Sequence, residues 1–274
     1  MAMMLVNGAP DESLPVTDRG LAYGDGVFRT LRAVDGQPLH WARHYYNKLT
    51  SDCAALRLPC PGDAELLAEV RTTAAGHPHA SVKIMVTRGS GARGYAPPQP
   101  CVPTRIVIAE SRALPPQNTR GITAHLCCLR LAPQPALAGI KHLNRLENVL
   151  ARAEWSDPAI AEGVLLDQQN FAIGGTMSNL FIVEAGALIT PDLSRCGVSG
   201  VTRGRVIALA QKAGLTCRVE PLPLQRVLDA SEVFLVNSLI GLWPVARLAD
   251  HIWMPGALTP QVTQWLDAED AARI

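Results

Sequence analysis

The spacing of apolar residues in the first hundred positions predicts a small mixed domain. Trp41, Tyr45, Leu49 and Cys53 recur at helical intervals, so we expect a helix with one buried face over residues 41–56. Alternating apolar positions and turn residues predict short strands, and a second helical pattern follows the first. The predicted strands are 4–7, 28–32, 81–87 and 104–109, and the second predicted helix is 63–75.

A polar, turn-rich segment separates this pattern from a second and longer one. Residues 110–119 (E-S-R-A-L-P-P-Q-N-T) form the predicted linker. The later predicted strands are 122–131, 164–167, 171–173, 179–184, 187–190 and 232–238, and the later helices are 143–155, 201–213 and one that begins at Thr259. We therefore expect an α+β fold with a small α+β domain (1–109) and a larger, β-rich α/β domain (120–274).

Composition and charge narrow the class of protein. The 274 residues are 48% hydrophobic and 18% charged, which is typical of a folded globular chain. A net charge of +1 gives no long-range attraction for nucleic acid or for an acidic membrane. No apolar run is long enough to span a bilayer, and His125 and His142 lack partners at the spacing of metal ligands. We expect a small-molecule substrate and no metal, nucleic-acid or membrane partner.

The cysteines and the first residues favour a cytoplasmic location. Seven cysteines, an odd number without a C-x-x-C pair, indicate reduced thiols rather than a disulfide framework. The N-terminal residues M-A-M-M-L-V-N-G lack the basic and apolar regions of a signal peptide. A cytoplasmic protein is the expectation.

One lysine is the first candidate for covalent chemistry. Lys141 lies between a loop rich in proline and alanine, residues 132–138, and the predicted helix 143–155. Partial desolvation at such a position favours a neutral amine, which is a nucleophile toward carbonyl groups. A solvated loop lysine is the more common outcome for a segment of this kind, so the residues of this segment leave both interpretations open.

Two other segments suit anions. Residues 196–203 (C-G-V-S-G-V-T-R) lead into a predicted helix, and the free N–H groups of a helix N-terminus can bind phosphate. Residues 88–95 (R-G-S-G-A-R-G-Y) form a glycine-rich loop with two arginines, a residue type that pairs with carboxylates. Each segment also fits an ordinary turn or hairpin.

Together, four segments resemble the fold-type IV pyridoxal-phosphate enzymes. This family includes the branched-chain and D-amino-acid aminotransferases and 4-amino-4-deoxychorismate lyase. The segments are D-R-G-L-A-Y-G-D-G-V-F (18–28), R-G-S-G-A-R-G-Y (88–95), A-G-I-K-H-L-N-R-L-E-N-V-L-A-R (138–152) and N-S-L-I-G-L-W-P-V (237–245). The second and third resemble the lyase branch in particular.

The resemblance implies a cofactor and a set of site residues. Pyridoxal 5'-phosphate would form a Schiff base with Lys141, whose freed amine would then act as acid and base. Arg93 and Tyr95 would bind a substrate carboxylate, while Thr30, a catalytic candidate, and Tyr23 would line the substrate pocket. The residues implied to bind the cofactor besides the lysine are Lys48, Asn179, Gly200, Val201, Thr202 and Ser238.

Two positions depart from the family pattern. The motif E-x-x-x-x-N-x-F has a glutamate that pairs with the pyridinium nitrogen, and here Asn179 and Phe181 are present but Gly174 occupies the glutamate position. The nearest upstream acid is Asp167, which lies across the predicted turn 168–170 from this position. The phosphate-binding arginine of the first long helix corresponds to Lys48, which keeps the charge but loses the bidentate fork.

The resemblance implies an aminodeoxychorismate lyase activity, which gives 4-aminobenzoate and pyruvate on the folate route. Two alternatives stay open: an aminotransferase for D- or branched-chain amino acids, and a homologue that binds the cofactor weakly and is not catalytic. Gly174 and Lys48 favour the second alternative. The family is typically homodimeric, so a homodimer is implied as well.

Overall fold

The computed structural model describes residues 3–113 and 120–272, which form two compact units. Unit 1 is built from residues 3–113 and 140–144, and unit 2 from residues 120–139 and 145–271. The short segment 140–144 therefore packs with a unit from which it is distant in sequence. The predicted domains, 1–109 and 120–274, stay a prediction.

Unit 1 consists of an antiparallel sheet and helices. Its helices are α1 (Arg19–Tyr23), α2 (Asn47–Ala55) and α3 (Asp63–Ala74), with a π-helical segment, Trp41–Tyr46, directly before α2. Its strands are β1 (Met3–Val6), β2 (Ala9–Pro10), β3 (Gly26–Val34), β4 (Gln37–Pro38), β5 (His79–Thr87) and β6 (Thr104–Ser111). The strand order is β2-β1-β6-β5-β3-β4.

Strand β3 has one fully buried face. It pairs with β5 along its whole length, from Gly26 opposite Thr87 to Val34 opposite His79. Val27 and Leu31 on this strand are completely buried, while Phe28 and Thr30 point to the other, half-buried face. The strand predicted over 28–32 is confirmed and extends from Gly26 to Val34, with Arg29 on its buried face.

The predicted helix 41–56 is confirmed in position but not in winding. Its first six residues are π-helical, and only Asn47–Ala55 are α-helical. Trp41, Tyr45 and Leu49 are nevertheless all buried, because both windings keep them on one side. Helix α1, with Asp18 accepting a hydrogen bond from Gly20 N at 2.8 Å, was not predicted because five residues are too few for a periodic pattern.

Unit 2 is organised around a nine-stranded mixed sheet. Its helices are α4 (Leu146–Arg152), α5 (Val201–Lys212), α6 (Leu224–Asp229) and α7 (Leu258–Ala271). Its strands are β7 (Ile122–Leu131), β8 (Ile160–Asp167), β9 (Ala172–Gly175), β10 (Asn179–Glu184), β11 (Ala187–Pro191), β12 (Cys217–Glu220), β13 (Glu232–Asn237), β14 (Gly241–Leu248) and β15 (His251–Ile252). The strand order is β12-β11-β10-β13-β14-β7-β8-β9, and β15 pairs with β14.

The central strands of unit 2 are covered on both faces. Phe181 on β10 lies opposite Phe234 on β13, and their rings stack with centroids 5.1 Å apart. Leu180 and Ile182, which point to the other face, belong to a second apolar cluster with Leu235. Burial on both faces explains why β10 is a continuous apolar run rather than an alternating one.

Two sequence predictions differ from the structure. The helix predicted over 143–155 is shorter, Leu146–Arg152, because the backbone of Lys141 and Leu143 is already hydrogen-bonded to β3. The predicted linker 110–119 begins within β6, and its residues 114–119 lie outside the described residues. Among residues 3–113 and 120–272, no helix is both long and apolar enough to cross a membrane.

Candidate active site

Lys141 is fixed in unit 1 by hydrogen bonds of its backbone rather than by a helix. Phe28 N donates to Lys141 O and Leu143 N donates to Gly26 O, both at 2.9 Å. Lys141 Nζ lies 4.4 Å from the centroid of the Phe28 ring, and the side chain is half-buried. A Cβ on Gly26 would lie 2.5 Å from Val86 O, so a glycine is required where this segment meets β3. The candidate nucleophile is therefore held against strand β3 by hydrogen bonds of its own segment.

A buried carboxylate lies behind this lysine. Asp52 of α2, only 1% exposed, forms an ion pair with Arg29 on the buried face of β3. Lys48 Nζ lies 3.5 Å from Asp52 Oδ1, and Lys141 N donates to Asp52 Oδ2 at 3.4 Å. Burial of a carboxylate is favourable only with such compensation. Asp52 thus connects α2 and β3 to the backbone of the candidate nucleophile.

Lys48, implied by the resemblance to bind phosphate, has this carboxylate as its ion-pair partner. The lysine side chain is 29% exposed. Its amine can therefore reach solvent or a ligand while it remains near Asp52. The role of Lys48 at a phosphate stays a prediction.

Arg88 of the glycine-rich loop stabilises the fold of unit 1. Its Nε donates to both carboxylate oxygens of Asp25, at 3.0 and 2.8 Å, and its other nitrogens donate to Leu56 O and Arg57 O. Arg19 donates to the same carboxylate at 2.8 Å. Burial opposes ionisation of Asp25, but the hydrogen bonds from the two arginines lower its pKa below the usual range. Of the two loop arginines, Arg88 is thus part of a closed internal network.

The residues implied to contact substrate in unit 1 are distributed around this loop. Tyr23 and Tyr95 lie with ring centroids 5.5 Å apart, and Tyr23 Oη accepts a hydrogen bond from Gly94 N at 3.0 Å. Tyr95 is 86% exposed and Arg93 is exposed as well. Thr30 shares the half-buried face of β3 with Phe28. Their contacts to a substrate stay predictions.

In unit 2, the N-terminus of α5 is an unblocked donor site. Gly200 precedes the helix, and no side-chain hydrogen bond caps this end within the described part of the chain. Asn179 Oδ1 accepts from Gly200 N at 3.1 Å, and Asn179 Nδ2 donates to Val198 O at 2.7 Å. A Cβ on Gly200 would lie 2.2 Å from Asn179 Oδ1. Asn179 and the glycine together hold the loop that leads into the helix, of which Val201 is the first residue.

A buried hydroxyl at this helix end fits a phosphate ligand. Thr202 is 2% exposed, and its Oγ1 has no hydrogen-bond partner among the residues that the structure describes. A buried hydroxyl without a hydrogen-bond partner destabilises the fold unless a ligand forms a hydrogen bond with it. Ser238 is half-buried in the turn after β13, where Asn237 Oδ1 accepts from Leu239 N at 2.8 Å. The hydroxyl and the free N–H groups of the helix N-terminus can donate hydrogen bonds to a phosphate, and the helix dipole favours its negative charge.

A buried carboxylate that the sequence analysis missed is Glu162. It is completely buried on β8 and accepts hydrogen bonds from Thr176 N at 3.1 Å and Met177 N at 3.2 Å, and from the hydroxyls of Thr176 and Ser178. It therefore holds the loop 174–178, which contains the departure at Gly174. Asp167, the nearest acid upstream of Gly174, accepts from Gln169 N and Phe171 N in a tight turn. A charged residue inside the otherwise apolar strand 160–166 was the available signal.

These features define the class of protein. An α+β chain with a strand-held lysine and a helix N-terminus suited to phosphate matches the expectation of a fold-type IV pyridoxal-phosphate enzyme. The model of the amino-transferase class IV family matches residues 26–248, and the chain belongs to this family. The cofactor of the family is pyridoxal 5'-phosphate.

Three relatives cover most of the chain. An aminodeoxychorismate lyase from Vibrio harveyi is 37% identical over 251 residues, which are 90% of this chain and 92% of the relative. The crystal structure of 4-amino-4-deoxychorismate lyase from Pseudomonas aeruginosa is 42% identical, with a TM-score of 0.92 and coverage of 97% and 98% of the two chains. A putative branched-chain-amino-acid aminotransferase from Methanocaldococcus jannaschii is 33% identical over 247 residues, 88% of this chain and 85% of that relative.

Thr202→Val should weaken cofactor binding while it raises the stability of the cofactor-free protein. Because the Thr202 hydroxyl is buried and unpaired in the described residues, its removal should stabilise the cofactor-free protein by about 1 kcal/mol. The same change should weaken pyridoxal-phosphate binding about tenfold, since one hydrogen bond to a charged ligand is lost. Denaturant unfolding and cofactor titration followed by absorbance measure the two effects.

Thr190→Val is the matched control for this change. Thr190 Oγ1 is also buried, but it donates to Leu180 O at 2.8 Å and accepts from Arg203 Nε at 3.1 Å. The control should lose about 1–3 kcal/mol of stability. Unchanged cofactor affinity in Thr202→Val would contradict the assignment of this hydroxyl to the phosphate site.

Proposed function

We propose that this protein is an aminodeoxychorismate lyase, which converts 4-amino-4-deoxychorismate to 4-aminobenzoate and pyruvate. The observation that carries the proposal is the similarity to the Pseudomonas aeruginosa lyase, 42% identical over nearly the full length of both chains. The putative branched-chain-amino-acid aminotransferase of Methanocaldococcus jannaschii is only 33% identical. An aminotransferase activity is therefore less well supported for this chain than the lyase activity. The product belongs to the folate route.

Each proposed role follows from the local chemistry of its residue. Pyridoxal phosphate, when bound, supplies an electron sink for a carbanion on the substrate. Lys141 Nζ is the proposed point of attachment, and the freed amine removes the proton from the carbon that bears the substrate's amino group. Departure of pyruvate then leaves an aromatic ring, which provides driving force. The α5 N-terminus with Thr202 binds phosphate, and Arg93 binds a substrate carboxylate.

A direct assay tests this activity. Purified protein with pyridoxal phosphate should convert 4-amino-4-deoxychorismate to equal amounts of 4-aminobenzoate and pyruvate. Amino transfer from D-alanine or a branched-chain amino acid to a 2-oxo acid, without aromatic product, would identify an aminotransferase instead. The absence of both reactions would favour a homologue that is not catalytic.

Gly174→Glu should raise the lyase rate. We propose that the missing carboxylate slows the reaction but slows an aminotransferase more, because aromatisation assists only the lyase. A Cβ at Gly174 would lie 2.9 Å from Ser178 O, so any side chain at this position shifts the backbone of the loop. The comparison is therefore made with Gly174→Ala, which has the same steric cost. Gly174→Glu should exceed Gly174→Ala in kcat by about tenfold, equal to about 1.4 kcal/mol of activation free energy, and equal rates would reject the proposal.

A homodimer is the proposed assembly. Helix α4 exposes Leu146, Val149 and Leu150 by 69%, 60% and 55%, and their i, i+3, i+4 spacing places them on one face. An apolar face of this kind supports an interface between copies of the chain. Light scattering should give twice 29.4 kDa for the wild type and the monomer mass for Leu146→Asp/Leu150→Asp. Val219→Asp, which also changes an exposed apolar residue of unit 2, should remain dimeric.

We also propose a cytoplasmic location. All seven cysteines are free in the structure, as expected in a reducing compartment. Fractionation of cells that express the tagged chain would test this location.

A further inference from the structure

The buried Arg19 of α1 donates hydrogen bonds to the far end of the glycine-rich loop 88–95. Its Nη1 donates to Gly94 O at 2.9 Å and to Ala96 O at 3.4 Å, and its Nη2 donates to Tyr95 O at 3.1 Å. One guanidinium therefore binds three consecutive carbonyl groups of the chain. In a surface loop such groups would otherwise bond to water, and the backbone could then adopt many conformations.

Two side chains fix the guanidinium of Arg19 itself. Its Nε donates to Asp25 Oδ2 at 2.8 Å, and its Cζ lies 4.9 Å from the centroid of the Tyr23 ring. A planar guanidinium can form hydrogen bonds at its edge while its face lies on an aromatic ring. Tyr23 Oη also accepts from Gly94 N at 3.0 Å. Arg19 and Tyr23 together thus bind both the C=O and the N–H group of Gly94.

The near end of the loop is bound by backbone groups around the start of α1. Arg19 N donates to Gly89 O at 2.9 Å, and Gly91 N donates to Thr17 O at 3.1 Å. A Cβ on Gly91 would lie 3.1 Å from Arg19 Cδ, so a glycine lets the loop lie close to the stem of the arginine. Hydrogen bonds therefore hold the loop at residues 89 and 91 and again at residues 94–96.

Arg93 lies between these two bound parts of the loop and is exposed. Within the described ranges 3–113 and 120–272, its guanidinium has no hydrogen bond or ion pair. An arginine can bind a carboxylate through two parallel hydrogen bonds. The loop therefore presents an unpaired guanidinium from a backbone that Arg19 restrains.

We propose that Arg19 is a positioning residue, which holds the loop so that Arg93 meets the substrate carboxylate. This inference rests on the proposed function, because it takes Arg93 as the carboxylate ligand. A loop that is ordered before binding loses less conformational freedom when the substrate binds, which strengthens the affinity. Without Arg19 the loop would occupy the binding arrangement for only part of the time, and the apparent affinity would fall by that fraction.

Lyase kinetics of Arg19→Gln, measured on the cofactor-loaded enzyme, test this role. KM for 4-amino-4-deoxychorismate should rise about tenfold while kcat stays within about twofold, because substrate binding and not the chemical step is weakened. In an Arg93→Ala background, the same substitution should raise KM by less than about twofold, since the residue through which Arg19 acts is absent. An equal rise of KM in both backgrounds, or no rise when Arg93 is present, would overturn the proposal.

Trypsin cleavage after Arg93 tests the order of the loop without any substrate. Cleavage of a folded protein follows the population of the opened segment, so the rate at Arg93 should rise about tenfold in Arg19→Gln. Mass spectrometry of the fragments identifies the cleaved bond. An unchanged rate would reject the proposal whatever the lyase activity. If the wild type lacks lyase activity, the proposed function fails, and the cleavage rate still decides whether Arg19 holds the loop.

Arg88→Gln is the matched control for both measurements. Arg88 is also buried and donates to Asp25, but its other nitrogens donate to Leu56 O and Arg57 O instead of the far end of the loop. Each variant leaves Asp25 with one arginine partner. The control should lose stability, yet its KM and its cleavage rate at Arg93 should stay within about twofold of the wild type, because the loop population is unchanged. Equal rises in both variants would indicate a general loosening of unit 1 and would contradict the proposed role of Arg19.

Discussion

Lys141→Ala should lower lyase turnover by about 10³-fold or more while the fold is retained. The variant removes the amine that would carry the substrate proton, and acid–base groups of this kind typically contribute 10²–10⁴-fold. Stability should change little, because the backbone bonds to Phe28 and Asp52 involve only main-chain atoms of residue 141. Turnover, circular dichroism and borohydride trapping of pyridoxal phosphate would be measured together. The wild type should carry the trapped cofactor on Lys141, and the variant should carry none.

Lys83→Ala is the matched control for this experiment. Lys83 Nζ also lies over the Phe28 ring, 5.3 Å from its centroid, but Lys83 is exposed on β5. Both variants thus lose a lysine near this ring, but only Lys141→Ala removes the candidate nucleophile. The control should keep its turnover within about twofold, since exposed substitutions away from a site have small effects. Equal losses in both variants would contradict the assignment of Lys141.

Glu162→Ala should destabilise the protein by about 3–5 kcal/mol and lower its affinity for pyridoxal phosphate. The change leaves several donors of the loop 174–178 without their acceptor in a completely buried site, and each unpaired donor costs about 1–3 kcal/mol. The loop leads directly into Asn179, which holds Gly200 at the start of α5. Loosening of the loop should therefore reach the proposed phosphate site.

Urea unfolding and cofactor titration would measure these two effects. Glu147→Ala is a suitable control, because Glu147 is exposed and accepts one backbone hydrogen bond, from Ala132 N at 3.0 Å. Its effect should stay within about 0.5 kcal/mol. If Glu162→Ala unfolded at the same urea concentration as the wild type, the buried carboxylate would not be the support of this loop.

The arrangement in unit 1 also explains why a buried ion pair accompanies the lysine. Arg29 and Asp52 are both almost completely buried, so either charge alone would be costly. Because Arg29 compensates its charge, Asp52 can accept a hydrogen bond from Lys141 N. Lys48, its other partner, remains partly solvent-exposed. The same α2 helix thus presents a candidate phosphate ligand and anchors the segment of the nucleophile.

The sequence by itself determined the elements with long, regular patterns. The helical spacing of Trp41, Tyr45 and Leu49 predicted a buried face that the structure confirms. The patterns over 28–32 and 179–184 predicted strands, which the structure confirms as β3 and β10. The resemblance of the motifs around Lys141 identified the family, and the glycine before α5 indicated an anion site. These features are local, because a few neighbouring residues specify period, turn and helix start.

The tertiary structure alone decided which polar residues have partners. Lys141 and Asp52 are 89 positions apart, and Asn144 and Gly24 are 120 positions apart, so no local pattern could predict that these pairs hydrogen-bond. The same holds for Arg88, which is enclosed with Asp25. Residues 140–144 look like the approach to a helix, yet the C=O group of Lys141 and the N–H group of Leu143 pair with β3. Buried charges need partners, and in a folded chain those partners are set by long-range packing rather than by sequence neighbours.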